Sequence, residues 1–203
     1  RYIVLREVPF DRDADVSFES FVRRYNADLA NDFGNLLNRT LNMTTRFVDG
    51  QRPSPQTPSS LASAWARALD TYRAAMEGYL LHDALAAVWG FVGEANRFVD
   101  QEQPWALAKQ VREGDGTVSE RLSNTLGDLL EACRLVGLAV APVMPTAATR
   151  VWAQLGLAWP YQSNGSGGPR LAEQFEWGAG WTAGKIGSAE ILFPRVEIEA
   201  AQT

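Results

Sequence analysis

Along the first fifty residues the apolar positions recur at steps of three and four. Phe18, Phe21, Val22, Tyr25, Leu29, Phe33, Leu36, Leu37 and Leu41 fall on one face of a helix that the spacing predicts over about Ser17 to Thr45. The opposite side of that helix carries Asn31, Asn35, Asn38, Arg39 and Asn42, in steps that stack these side chains one turn above another. Asparagine competes for nearby backbone groups, so four of them weaken the helix by about 2 kcal/mol relative to alanine. A solvated face and a contact surface both account for such a ladder. Its amides pair donors with acceptors and suit a base edge or a partner backbone, and Arg39 adds a planar fork and a charge.

The same periodicity continues down the chain. Arg1 to Phe10 is a short apolar segment, the tail of a helix or a strand, ended by Pro9. An acidic loop follows from Asp11 to Asp15, and Asp15 or Ser17 caps the asparagine-bearing helix. Gly50, Pro53, Pro55 and Pro58 then make a loop. Ser59 or Ser60 caps a second helix to about Tyr79 with Leu61, Trp65, Leu69, Tyr72 and Met76 as its stripe. A third, over about Asp83 to Val99, buries Leu85, Val88, Trp89, Val92 and Phe98. Trp105 to Val111 reads as a short helix. Ser119 to about Val140 reads as a long one with Leu122, Leu126, Leu129, Leu130, Cys133 and Val136 in register, and Thr146 to Leu155 as a fifth.

After Gly156 the texture changes. The stretch SNGSGG (Ser163 to Gly168) suits a mobile loop, and EILFPRVE (Glu190 to Glu197) is β-prone but interrupted by Pro194, as in a docked terminal segment. The expected architecture is all-α: a connector over 1–16, a helical bundle over 17–156 and an irregular or β-like tail over 157–203 that packs back on the bundle or on a neighbouring domain.

Composition narrows the chemistry. A net charge of −5 argues against non-specific nucleic-acid binding, DNA included, while leaving a local, shape-specific RNA contact open. The single Cys133 permits no disulfide and no cysteine-rich zinc site, which points to a reducing compartment. No apolar run reaches membrane-spanning length and no signal peptide opens the chain, so the expected location is cytoplasmic. The chain starts at Arg1 and reads as a piece of a longer protein. Nucleotide-binding glycine loops, a nucleophile elbow and a zinc-protease motif are absent. The lone His82, placed just before a helix, and the acid pairs Asp11 with Asp13 and Glu197 with Glu199 read as surface groups, so no catalytic residue and no metal ligand is expected.

One further stretch stands out, Asn96 to Lys109, NRFVDQEQPWALAK. Trp105 follows Pro104 where a helix is about to start, so the indole projects near a helix N-terminus. There it either pins the loop onto the bundle or stacks on an unpaired base, a contact worth about 1–3 kcal/mol.

Taken together, YNADLANDFGNLLNRTLNM (Tyr25 to Met43) and NRFVDQEQPWALAK resemble the anticodon-binding helical domain of bacterial-type methionyl-tRNA synthetases, a class I aminoacyl-tRNA synthetase family. RYIVLREVPF at the start, the lead-in from Glu19 to Asp28, and KIGSAEILFPRVE from Lys185 to Glu197 lie in the matching order.

The resemblance implies that Asn35 and Arg39 meet anticodon bases and that Trp105, held by Pro104, stacks on a base of the CAU loop of tRNA(Met). Asn31, Asn38 and Asn42 would touch the RNA or a preceding catalytic domain. The family's complete enzyme ligates methionine to tRNA with ATP and magnesium in a Rossmann-type domain bearing HIGH and KMSKS signatures. Neither signature occurs in this chain, nor do zinc-knuckle cysteines, so no cofactor is expected within it. The implied partners are the anticodon loop and that catalytic domain. The alternatives are the anticodon domain of a valyl, isoleucyl, leucyl or cysteinyl class I synthetase, or a helical protein-interaction module without RNA.

Overall fold

The apolar stripe that opens at Phe18 folds as one uninterrupted rod. In the computed structural model, which describes residues 1–8, 17–160 and 171–197, α1 (Tyr2–Glu7) precedes α2 (Phe18–Arg24). A π-helical stretch (Tyr25–Gly34) then runs directly into α3 (Asn35–Val48). Of the two candidate caps, Ser17 serves: its hydroxyl accepts from Ser20 N at 3.1 Å while Ser20 Oγ accepts from Ser17 N. The ten π-helical residues depart from the expected plain α-helix, and the physical reason lies on a neighbouring helix. Trp89 Nε1 donates to Asp28 O at 3.1 Å and Asn96 Nδ2 to Asp32 O at 3.5 Å, taking up carbonyls that the wider turns release. Leu29, Phe33, Leu36, Leu37 and Leu41 are buried, whereas Phe18, at the first turn, is 71% exposed.

Asp49 and Gly50, both with positive φ, turn the chain out of the rod. Ser59 caps α4 (Ser60–Glu77), accepting from Ala62 N. Tyr79, at φ 60°, makes the tight link to α5 (Leu81–Glu102), so α4 and α5 form an antiparallel pair with Trp65 edge-on to Phe91 at 5.1 Å. His82 therefore lies inside the first turn of α5 rather than before it, with Nε2 3.4 Å from Asp83 Oδ1. Phe98 is only half-buried, unlike the rest of its stripe. α6 (Pro104–Arg112) and a single tight turn (Gly116–Val118) lead into α7 (Ser119–Ala139), followed by α8 (Pro145–Gln154). The opening segment, helix or strand by sequence, is helix: Tyr2 is buried with its ring 4.5 Å from that of Trp89, and its hydroxyl donates to Asp28 Oδ2 at 2.5 Å.

α7 shows the largest departure from its sequence pattern. A single apolar stripe predicts one wet face, yet every residue from Thr125 to Ala139 is buried, Asp128, Glu131 and Arg134 included. Two irregular segments cover the polar side. The proline loop after α3 lies so close that a Cβ on Gly127 would sit 2.3 Å from Ser54 O, and Gln56 N donates to Asp128 Oδ1 at 2.7 Å. Burial raises the Asp128 pKa above its ordinary value, against the lowering by the Gln56 N–H and Ser59 hydroxyl.

The C-terminal segment, opening with one turn at α9 (Leu171–Gln174), closes the rest. Arg134 Nη1 donates to Gln174 O at 2.9 Å and Nη2 to Glu176 O at 3.1 Å, while Glu131 Oε1 accepts from Gly178 N at 2.7 Å. Arg52, from the proline loop, donates to Leu155 O, Gly156 O, Thr182 O and Lys185 O, with its guanidinium 5.7 Å from the Trp181 ring centroid.

An isolated antiparallel bridge joins Gln51 to Lys185, and among the described residues there is no strand. The fold is all-α, with an irregular terminal segment laid over the bundle. Among the described residues no helix is long and apolar enough to cross a membrane. The expected acidic loop over 11–15, the SNGSGG stretch and Glu199 lie outside the described residues.

Candidate nucleic-acid interface

The polar side of α3 meets the turn between α5 and α6, and there the residues singled out by sequence converge. Gln103 adopts a left-handed conformation (φ 46°), which reverses the chain between the two helices. Pro104 occupies the first position of α6 and is buried, fixing the backbone where Trp105 begins. The indole of Trp105 is 43% exposed, and its Nε1 makes no hydrogen bond among the described residues. Across from it the Arg39 guanidinium sits 5.9 Å from the ring centroid, and Nη2 reaches Asp100 Oδ1 at 3.3 Å. Asn35, one turn earlier on α3, is exposed with its amide unpartnered among the described residues. Arg39, Trp105 and Asn35 thus form a cation, an aromatic face and a free amide on one accessible surface.

The other asparagines divide. Asn42 Nδ2 donates to Asn38 Oδ1 at 3.1 Å, whereas Asn31 and Asn38, with Asn35, line a groove that is closed on its far side by Ile191, Leu192 and Phe193. Part of the ladder therefore faces the chain's own C-terminal segment. Two residues of this surface carry no sequence signal of their own. Asp100 reads as an ordinary helix-end carboxylate until Arg39 is placed against it. Arg46, exposed in the last turn of α3, prolongs the ladder by one turn and makes no ion pair among the described residues.

Charge around the indole is mixed. Lys109 pairs with Glu113 at 3.7 Å and Arg121 with Glu102 at 2.9 Å, so the nearby cations are largely matched by carboxylates. Such a surface selects by shape, stacking and hydrogen bonding more than by bulk attraction to phosphate. Cys133 and His82 take no part in it. Cys133 is fully buried, with its thiol pushed up to about 12 by desolvation, and His82 is at the opposite end of α5. Among the described residues no cluster of three or more His, Cys, Asp or Glu is arranged to hold a metal ion.

Known proteins share this sequence pattern and fold. The sequence family described as class I tRNA synthetases (M) matches residues 1–41, a span that includes Asn35 and Arg39. The chain is 32% identical over 203 residues to the methionine–tRNA ligase of Caldanaerobacter subterraneus subsp. tengcongensis, an alignment covering 98% of this chain and 30% of that relative. With the methionine–tRNA ligase of Enterococcus faecalis it is 36% identical over 209 residues, covering 100% and 29%. The chain belongs to the methionyl-tRNA synthetase family.

Among solved members of that family, the apo methionyl-tRNA synthetase of Mycobacterium tuberculosis superposes with a TM-score of 0.79 at 32% identity, over 98% of this chain and 38% of that one. The same enzyme in complex with methionyl-adenylate gives 0.78 at 32% identity, over 96% and 36%. These superpositions take in the terminal segment together with the bundle. The chain spans about 30% of the length of the curated methionyl-tRNA synthetases it matches.

Proposed function

We propose that the surface formed by Asn35, Arg39 and Trp105 reads the CAU anticodon of tRNA(Met), as one part of an enzyme that ligates methionine to tRNA with ATP. The observation that carries this reading is the contact of Arg39 with Trp105, 66 positions apart in the sequence, on an exposed face beside an unpartnered Asn35 amide. An aromatic face held open at a helix N-terminus offers a platform for an unstacked loop base. The Arg39 fork, oriented by Asp100, has N–H groups to spare for a base edge or a phosphate, and the Asn35 amide supplies one donor and one acceptor edge. Pro104 and the left-handed Gln103 keep the indole in place before RNA arrives, which lowers the ordering cost of binding. Adenylation and transfer belong, in this reading, to a catalytic domain bearing HIGH and KMSKS, with its ATP and magnesium; this chain's residues bind and position.

The test is binding of a CAU anticodon stem-loop against one with a changed anticodon, at fixed moderate salt, using the intact protein. A CAU preference that disappears in Arg39→Ala and in Trp105→Ala supports the reading. Equal binding of both stem-loops, or a preference untouched by either substitution, overturns it.

A further inference from the structure

The rod that carries Asn35 and Arg39 is π-helical over ten residues, Tyr25–Gly34, whereas π turns ordinarily occur singly and often at functional sites. α3 continues from this segment without a break. A slip of one residue among the wide turns therefore rotates the whole of α3 by about 100° relative to the chain before it. Such a rotation would carry the Arg39 guanidinium away from its place 5.9 Å from the Trp105 ring centroid.

One residue of the π-helical segment is gripped from two sides. Asp28 is only 6% exposed. Its carbonyl accepts from Trp89 Nε1 of α5 at 3.1 Å, and its carboxylate accepts from the Tyr2 hydroxyl of α1 at 2.5 Å and from Arg24 Nη1 at 3.5 Å. The Tyr2 and Trp89 rings lie 4.5 Å apart, so a single aromatic pair holds both the backbone and the side chain of Asp28. Burial, and then the hydrogen bond to Asp28, raise the Tyr2 pKa, which keeps its hydroxyl a donor. Arg24 also pairs with Glu7, the last residue of α1. Apolar side chains tolerate a small slip, because one hydrocarbon contact replaces another. A buried carboxylate does not, because a slip leaves its donors behind while it stays desolvated.

We propose that Asp28 is the register pin of this rod, a positioning residue through which Tyr2 and Trp89 fix the wide turns and so place Arg39 over Trp105. Asp28 precedes Arg39 by eleven residues, about three turns, and makes no hydrogen bond or ion pair with Arg39 or Trp105 among the described residues. α1, which supplies Tyr2 and Glu7, is thereby coupled to the distant surface: a displacement of α1 reaches it as a rotation of α3. The consequence for RNA rests on the reading proposed above, whereas the placement of Arg39 does not.

The experiment is fluorine NMR of the intact protein labelled with 5-fluorotryptophan. Trp105→Phe assigns the Trp105 resonance, and Arg39→Ala marks where it lies once the guanidinium is gone. Tyr2→Phe combined with Asp28→Leu removes the pin without stranding a donor or an acid, since Arg24 keeps Glu7. The double variant is expected to melt within about 2 °C of wild type or above it. Its Trp105 resonance is expected to move toward the Arg39→Ala position or to split. CAU stem-loop binding is expected to weaken about tenfold, as for one lost hydrogen bond from a charged group. Tyr2→Phe alone, which removes only the hydroxyl, is expected to move the resonance part of the way and decides the matter if the double variant does not fold.

A Trp105 resonance that stays at its wild-type position in the folded variant overturns the pin and leaves the anticodon reading standing. A resonance that moves while stem-loop binding is unchanged upholds the pin and counts against Arg39 and Trp105 as the reading surface.

Discussion

At the scale of single residues, Trp105 and Cys133 are opposite cases of an apolar side chain. The indole is 43% exposed and contributes little to the core, so Trp105→Ala should move the melting temperature by no more than about 2 °C while costing about 1–3 kcal/mol of stem-loop affinity. Calorimetry and a binding titration on one preparation check both halves. Arg39→Lys keeps the charge but loses the planar fork and the stacking over the ring, so it should behave much more like Arg39→Ala than like wild type in discriminating anticodons.

Cys133 is wholly buried, and its thiol is raised from an ordinary 9.0 to about 12. The folded state therefore holds this proton after the unfolded chain has released it. Its contribution is fully present below pH 9 and is lost as pH rises from 9 toward 12, by about 1 kcal/mol at pH 10. Denaturant melts of wild type and Cys133→Ala between pH 8 and 10 measure this directly, the variant showing the shallower decline. Asn35, Arg39 and Trp105 are legible in sequence because each interrupts a pattern, two of the ladder's polar positions and a proline-fixed aromatic being costly features to leave without use. Asp100 carries no such mark. Its role depends on where another helix brings Arg39.

Elements are where periodicity predicts well and also where it misleads. The 3.6-residue stripes locate every long helix to within about three residues, since burial of one face is a local property of the sequence. They mislead on α7, whose polar side is covered by segments distant in the chain. That cover makes two expectations. Gly127→Ala drives a methyl group into the Ser54 carbonyl, 2.3 Å away, and should destabilise the protein by about 1–3 kcal/mol and loosen the proline loop. Hydrogen exchange across residues 52–58 would detect the loosening. Arg134→Met leaves Glu131 buried without its cation and should cost about 3–5 kcal/mol, whereas pairing it with Glu131→Leu should recover much of that loss. The π-helical stretch is a second element that no spacing rule anticipates, because the donors that take up its carbonyls, Trp89 and Asn96, come from α5.

For the whole molecule the deciding quantity is charge. With a net charge of −5 and its cations near Trp105 mostly paired, the protein has little general attraction for RNA. A plot of log affinity against log salt for the CAU stem-loop should therefore be shallow. Its slope should be about −0.7 to −1.4, as for one or two neutralised phosphates at about 0.7 each, and shallower still in Arg39→Ala. A steep slope would assign the affinity to a basic surface elsewhere in the intact protein.

From the sequence alone came the all-α class, helix starts at Asp15 or Ser17, at Ser59 or Ser60 and just after Pro104, the outward ladder of asparagines and the projecting Trp105. All of these follow from forces acting within a few turns of chain: capping, proline geometry and one-sided burial. Tertiary structure alone decided that Arg39 lies over Trp105 beside Asp100, that α7 is buried on every side, and that Ile191 to Phe193 face Asn31, Asn35 and Asn38. Those contacts join residues about 40 to 160 positions apart. They depend on crossing angles and on two buried arginines that tie down the terminal segment, and no local pattern encodes either.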